Sequence, residues 1–221
     1  MGFRITYILI IIFSTSILYA GEGKYPAQWW ENPNVDNPPS WEILPHQAGP
    51  GEVILSKRTE LGVLSNFAAT PFVLNGKEYA SLEGFWQMMK YPEGPDDRRI
   101  LFQGLKWIYT REEVSQMVGF EAKKAGELAS ENMEKMDINL VSFEGRWLPY
   151  RVHRKGKHYN LIFKATIEKI RQNKKARDIL LATGNLILKP DHKQKDPPPA
   201  WKYYEILTEI RTELKRGGLN D

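Results

Sequence analysis

The stretch from Leu64 to Tyr91 reads LSNFAATPFVLNGKEYASLEGFWQMMKY, and its pattern decides how the chain begins to fold. Two short runs, Phe72-Val73-Leu74 and Lys77-Glu78-Tyr79, flank Asn75-Gly76. Asn-Gly suits the positive φ angles of a two-residue turn, so the spacing predicts a β-hairpin. Ser81 then offers a side-chain oxygen to cap a helix. In that helix Leu82, Phe85, Trp86 and Met89 recur at helical spacing and make one apolar face, while Glu83, Gln87 and Lys90 share the neighbouring face.

Upstream of the hairpin, Val53, Ile54 and Leu55 form a short apolar run that suits a buried strand. Downstream, helical signals dominate. Thr110 and Glu113 form a capping-box pattern, and Gly119 separates that helix from one running through Glu121 to about Glu134. A further helix is predicted over 160–173, with Phe163, Ile167 and Ile170 inward, and another over 175–183 that stops at Gly184. After Pro190 and the Pro197-Pro198-Pro199 run, a last helix spans 201–216 and turns Tyr203, Ile206, Ile210 and Leu214 inward. The expected fold class is therefore mainly α, with a small β-hairpin element near the start.

Ahead of this domain, residues 21–51 are rich in Pro and Trp and read as an extended arm. Trp29, Trp30 and Trp41 carry too much apolar surface to leave in water, so the arm is expected to wrap the domain; an aromatic ligand platform is the alternative. Residues 1–20 carry one base, Arg4, then the apolar run Ile5 to Leu18, then small Ala20. That order is the signature of a cleaved export signal, and the run is short of the roughly 20 residues of a spanning helix. The reading places the mature protein in the periplasm, free of the membrane, with the domain at 52–217 and a tail at 218–221. The 221 residues hold 31 Lys and Arg against 27 Asp and Glu, and no Cys, so no disulfide supports the core.

Three constellations carry candidate chemistry. In the opening stretch, Ser65, Asn66, Glu83, Gln87 and Lys90 converge around a hairpin and a helix start, with Phe67 and Trp86 as apolar contacts for a substrate. Glu83 lies in the first helical turn, where the dipole favours a carboxylate, and Gly84 leaves room for close approach. A charged carboxylate beside an aromatic face is what activating a water or stabilising a developing cation requires. The same placement also suits a surface Glu that only complements the dipole. The second constellation is a run from Arg146 to Arg177 with eleven Lys or Arg and a single acid, Glu168. Within it Arg146 and Arg151 flank Trp147 and Tyr150, a setting for holding an anionic ligand, because Arg forks phosphate and stacks on aromatics; a solvated basic face is the plainer alternative. The third is Asp191-His192, two titratable groups in a loop, which a plain polar turn explains equally well. His46, His153, His158 and His192 are dispersed without metal-ligand spacing, so no metal is expected, and no Gly-rich phosphate loop or Gly-x-Ser-x-Gly elbow occurs.

Taken together, Leu64-Ser65-Asn66-Phe67, the run Pro71 to Tyr79, and Leu82 to Lys90 resemble the NADAR family, also called YbiA-like. Asn160 to Leu180, Thr183-Gly184 and Tyr203 to Leu214 resemble its later stretches, so the likeness covers about 53–215. The resemblance implies a YbiA-like orthogonal helical domain and N-glycosidase chemistry, the hydrolysis of a ribose-nitrogen bond in a phosphorylated nucleotide-like or ADP-ribosyl compound, with no organic cofactor. It places Glu83 on the motif glutamate, Ser65 and Asn66 on the Ser-Asn loop, and Lys90 on the helix-end lysine. Two positions depart from the family: Gly84 stands where a His usually follows the Glu, and Asp191-His192 with a proline-rich insertion replaces an Asp closely followed by Trp-Gly. His192 is a candidate stand-in for the missing His. The expected catalytic residues are thus Glu83, Asp191 and His192; the expected substrate contacts are Ser65, Asn66, Phe67, Trp86, Gln87, Lys90, Arg146, Trp147 and Arg151. The competing function is a non-catalytic exported module that binds ADP-ribose-like or other anionic ligands. Nucleic acid ranks last as a partner, because aromatics are not regularly interleaved with the lysines of the basic run.

Overall fold

A computed structural model describes residues 24–219, so the export signal expected over 1–20 lies outside the described residues. Strand β1 (Glu52–Ile54) leads through a 3-10 turn (Glu60–Leu64) to the hairpin of β2 (Phe72–Leu74) and β3 (Lys77–Tyr79). Helices α1 (Leu82–Met88), α2 (Arg111–Ser115) and α3 (Gly119–Lys135) follow, and a second hairpin pairs β4 (Leu140–Phe143) with β5 (Arg146–Pro149). Helices α4 (Lys157–Gln172) and α5 (Lys174–Ala182), strand β6 (Ile187–Lys189) and helix α6 (Tyr203–Lys215) complete the order.

The expectation of a mainly α fold is corrected: 41% of the described residues are helical and 11% lie in strands, which makes the domain mixed α and β. Two features that short-range patterning does not reveal account for the difference. Strand β1 pairs in parallel with β6, with Val53 opposite Leu188, so the first and last strands of the domain share one sheet. The β4–β5 hairpin turns at Glu144 and Gly145, with φ of 49° and 71°, where Glu takes the left-handed conformation that Asn takes in the first hairpin.

Every residue of α1 is buried, because the helix runs through the middle of the domain instead of lying on its surface. Its apolar face meets an aromatic cluster in which Phe85 packs edge-on against Tyr79, Phe143 and Phe72 at centroid distances of 4.8, 5.4 and 5.9 Å. The Ser81 side chain caps the helix by accepting the Gly84 N–H at 2.9 Å, and its hydroxyl donates to the Met117 carbonyl at 2.8 Å. Thr110 and Glu113 form the capping box at the start of α2.

The arm lies against the domain. Trp29 is buried and donates its indole N–H to Glu60, Trp30 donates to the Glu52 carbonyl, and Trp41 stays exposed. On α4 the inward stripe is Ile162, Ala165, Lys169 and Ile170, while Phe163 and Ile167 pack half-buried at its edge. No described helix is long and apolar enough to cross a membrane.

Candidate active site

Glu83 sits in the first turn of α1 with 7% of its surface exposed. Its backbone N–H donates to the Asn66 carbonyl at 2.9 Å, which brings the Ser65–Asn66 loop against the start of the helix. One turn on, Gln87 donates from Nε2 to Glu83 Oε1 at 2.7 Å. Burial pushes the Glu83 carboxyl above its ordinary value; the Gln87 hydrogen bond and the charges of Lys90, Lys57 and Lys123 oppose that rise without cancelling it.

Lys90, at the far end of the same helix face, donates to the Gly126 carbonyl at 3.1 Å and to Ser130 Oγ at 2.8 Å, and its ammonium lies 5.4 Å from the centre of the Tyr150 ring. Burial lowers it to about 8, the Glu83 charge resisting. Tyr150 accepts the Trp86 indole N–H at 2.9 Å, and Trp86, Tyr150, His158 and Trp201 form one aromatic wall. Both ring nitrogens of His158 are buried without partners, and burial lowers this imidazole to about 4, so it is neutral at physiological pH. The Arg151 guanidinium lies 5.8 Å from the Tyr150 ring centre and 5.9 Å from that of Trp201, at the edge of a cavity of about 290 Å³ lined also by Ser130 and Asn139.

On the other side of Glu83, Lys57 ion-pairs with Asp191 and lies 5.0 Å from the centre of the Phe67 ring. Asp191 is buried; it accepts from His192 Nδ1 at 3.0 Å and from the Tyr203 hydroxyl at 3.3 Å. Burial alone would raise Asp191, and the His192 hydrogen bond and Lys57 together hold it below the ordinary carboxylate range. His192 stacks parallel to Tyr203 at 6.2 Å, and its Nε2 stands 3.0 Å from the Gln194 amide. The arm braces this loop from behind: Glu42 bridges to His192 and pairs with Arg58, and the Ile43 N–H donates to the Asp191 carbonyl.

The structure therefore gathers Ser65, Asn66, Phe67, Trp86, Gln87, Lys90 and Arg151 with Glu83, and joins Asp191 and His192 to them through Lys57. Arg146 and Trp147 sit elsewhere: they face outward on β5, where the Trp147 ring lies 4.8 Å from the Arg99 guanidinium. Gly84 has a packing reason, since a Cβ there would meet the carbonyl oxygens of Met117 at 2.5 Å and Val114 at 2.9 Å. Sequence reasoning missed Lys57 and Lys169. Lys57 reaches the site through long-range packing and carries no local signal, whereas Lys169 interrupts the apolar stripe of α4. Among the described residues no group of three or more His, Asp or Glu is arranged to hold a metal.

Residues 58–200 match the family described as bacteriophage protein GP30.3, and the chain belongs to that family. Among solved structures it is similar to the E. coli protein YbiA, determined by NMR, with 20% identity over 79% of this chain and 92% of that one and a TM-score of 0.48. No curated protein matches.

Proposed function

We propose that the chain is an N-glycosidase that hydrolyses the bond between ribose and nitrogen in a phosphorylated nucleotide-like or ADP-ribosyl compound, as its NADAR-like motifs suggest. The observation that carries this reading is Glu83: a desolvated carboxyl at a helix start, pinned by Gln87 and within the field of Lys90 and Lys57. In the proposed reaction Glu83, ionised, accepts a proton from water as the oxygen bonds to the anomeric carbon. The carbon-nitrogen bond breaks with its electron pair going to the leaving base, the carboxylate offsets the positive charge that grows on the ribose, and the proton that Glu83 takes from water passes to the departing nitrogen, which restores the carboxylate. Lys90 and Arg151 hold the phosphates, and Trp86 and Tyr150 supply an apolar wall for the sugar or base. Lys57 ties the Asp191–His192 loop to this centre. The export signal read from residues 1–20 puts the substrate outside the cytoplasm; a reporter active only after export, fused to residues 1–30, tests that placement.

The test of the chemistry compares purified wild type with Glu83→Gln on ADP-ribosylated guanosine and on ribosylaminopyrimidine phosphates. The substitution is expected to lower kcat by about a hundredfold or more. Equal turnover by both proteins, or none by either, sinks the proposal. Titration calorimetry with ADP-ribose then separates a binding module, which binds without turnover, from a protein with no affinity for the compound.

A further inference from the structure

Lys169 has no exposed surface, and among the described residues no carboxylate lies within ion-pair distance of it. Its neighbours on the same stripe of α4 are Ile162, Ala165 and Ile170. Burying an unpaired ammonium costs stability that an apolar residue of similar length would not, so packing alone does not account for a lysine here. Burial lowers its pKa to about 7.

What the ammonium touches supplies the missing reason. It donates to the Ser65 carbonyl at 2.6 Å and to the Leu64 carbonyl at 3.2 Å. Leu64 ends the 3-10 turn, where carbonyls have no partner further along the turn and a cation is favourable. The next residue, Asn66, presents the carbonyl that accepts the Glu83 N–H at 2.9 Å, and Phe67 turns back to donate to Ser65 Oγ at 3.2 Å. One turn beyond Lys169, Asn173 donates to the Pro71 carbonyl at 2.8 Å. Helix α4 thus splints the loop between Leu64 and Pro71 at both ends, and the only charged group in the splint sits next to the residue that anchors Glu83.

We propose that Lys169 is a positioning residue for Glu83: its ammonium fixes the Leu64 and Ser65 carbonyls, and the loop so held presents the Asn66 carbonyl that fixes the first turn of α1 and the carboxyl it carries. The consequence for turnover rests on the N-glycosidase reading, whereas the mechanical link to the Glu83 backbone does not.

Native-state amide exchange by NMR tests the link directly, comparing wild type, Lys169→Met and Ile170→Ala. Ile170 is buried on the same helix and has no bond to the loop, so its truncation reports general destabilisation. In Lys169→Met the amides of Glu83 and Phe67 are expected to exchange about tenfold or more faster relative to those of the β2–β3 hairpin, reflecting lost hydrogen bonds to a charged donor. In Ile170→Ala all of these amides accelerate together. With active enzyme, Lys169→Met lowers kcat per folded molecule with little change in KM, and Ile170→Ala leaves both unchanged. Unaltered relative protection of the Glu83 amide in Lys169→Met overturns the proposal. If that variant does not fold, Lys169→Leu, which likewise removes both donations to the loop, is read the same way. Failure of both to fold while Ile170→Ala folds overturns it in favour of a general structural role. An inactive wild type would refute the glycosidase reading and leave the exchange result standing.

Discussion

Gln87 Nε2 donates to Glu83 Oε1 across 2.7 Å, and the side-chain carbonyl of Gln87 fits against α3 only because residue 126 is glycine. A Cβ at Gly126 would lie 1.8 Å from Gln87 Oε1. The carboxyl at the centre of the site is therefore tuned by a side chain whose position depends on the close approach of α1 and α3.

From this relationship follows a prediction about pH. The Gln87 hydrogen bond lowers the Glu83 pKa, so losing it raises that pKa further. A general base works when ionised, so the acidic limb of the kcat/KM profile moves to higher pH in Gln87→Leu. Gly126→Ala displaces the flexible end of Gln87 and shifts the limb in the same direction. Profiles measured from pH 4 to 9 check both; an unmoved limb in Gln87→Leu refutes this account of Glu83.

Lys90 governs the alkaline side. Its pKa of about 8 means that the ammonium offsetting Glu83 and holding phosphate is lost as pH rises through that value. Activity is expected to fall correspondingly on the basic limb, and in Lys90→Met the limb disappears while overall activity drops. A wild-type rate that stays flat up to pH 9.5 contradicts this.

Stability should trade against activity at Glu83. Its folded pKa is raised above the ordinary 4.5, so its favourable contribution is fully present below that value and is lost as pH rises through the folded pKa. Glu83→Gln keeps the shape and removes the ionisation. Thermal unfolding should show Glu83→Gln at least as stable as wild type at pH 7, with its relative advantage shrinking as pH falls from the folded pKa toward 4.5 and absent below it.

Two glycines of the same site differ in what they exclude. A Cβ at Gly84 strikes backbone oxygens of Val114 and Met117, which cannot swing aside as a side chain can. Gly84→Ala is expected to cost about 1–3 kcal/mol, the usual cost of overpacking, and Gly84→His more. Denaturant unfolding of Gly84→Ala and Gly126→Ala side by side checks the contrast, with Gly126→Ala the milder.

The arm offers a separate measurement. Trp29 is 1% exposed and its indole N–H is bonded to Glu60, so Trp29→Ala should destabilise by about 3–5 kcal/mol. An unfolding midpoint equal to that of wild type would mean that the arm contributes nothing to the fold.

Short-range signals in the sequence determined the first hairpin, through Asn75-Gly76; the start of α1, through the Ser81 cap; the start of α2, through Thr110 and Glu113; and the shared helix face of Glu83, Gln87 and Lys90. These are local preferences of backbone and side chain, acting within four residues or fewer. The tertiary structure decided the rest. It paired β1 with β6, which turned an expected mainly α domain into a mixed one. It allowed Glu144 a left-handed turn that its residue type does not advertise, and it moved the inward stripe of α4 onto Lys169. It also sorted the candidate residues, leaving Arg146 and Trp147 on an outward strand and bringing Lys57 to join Asp191 to the Glu83 side of the site. Burial and long-range packing depend on which surfaces meet, and spacing along one chain carries no record of that.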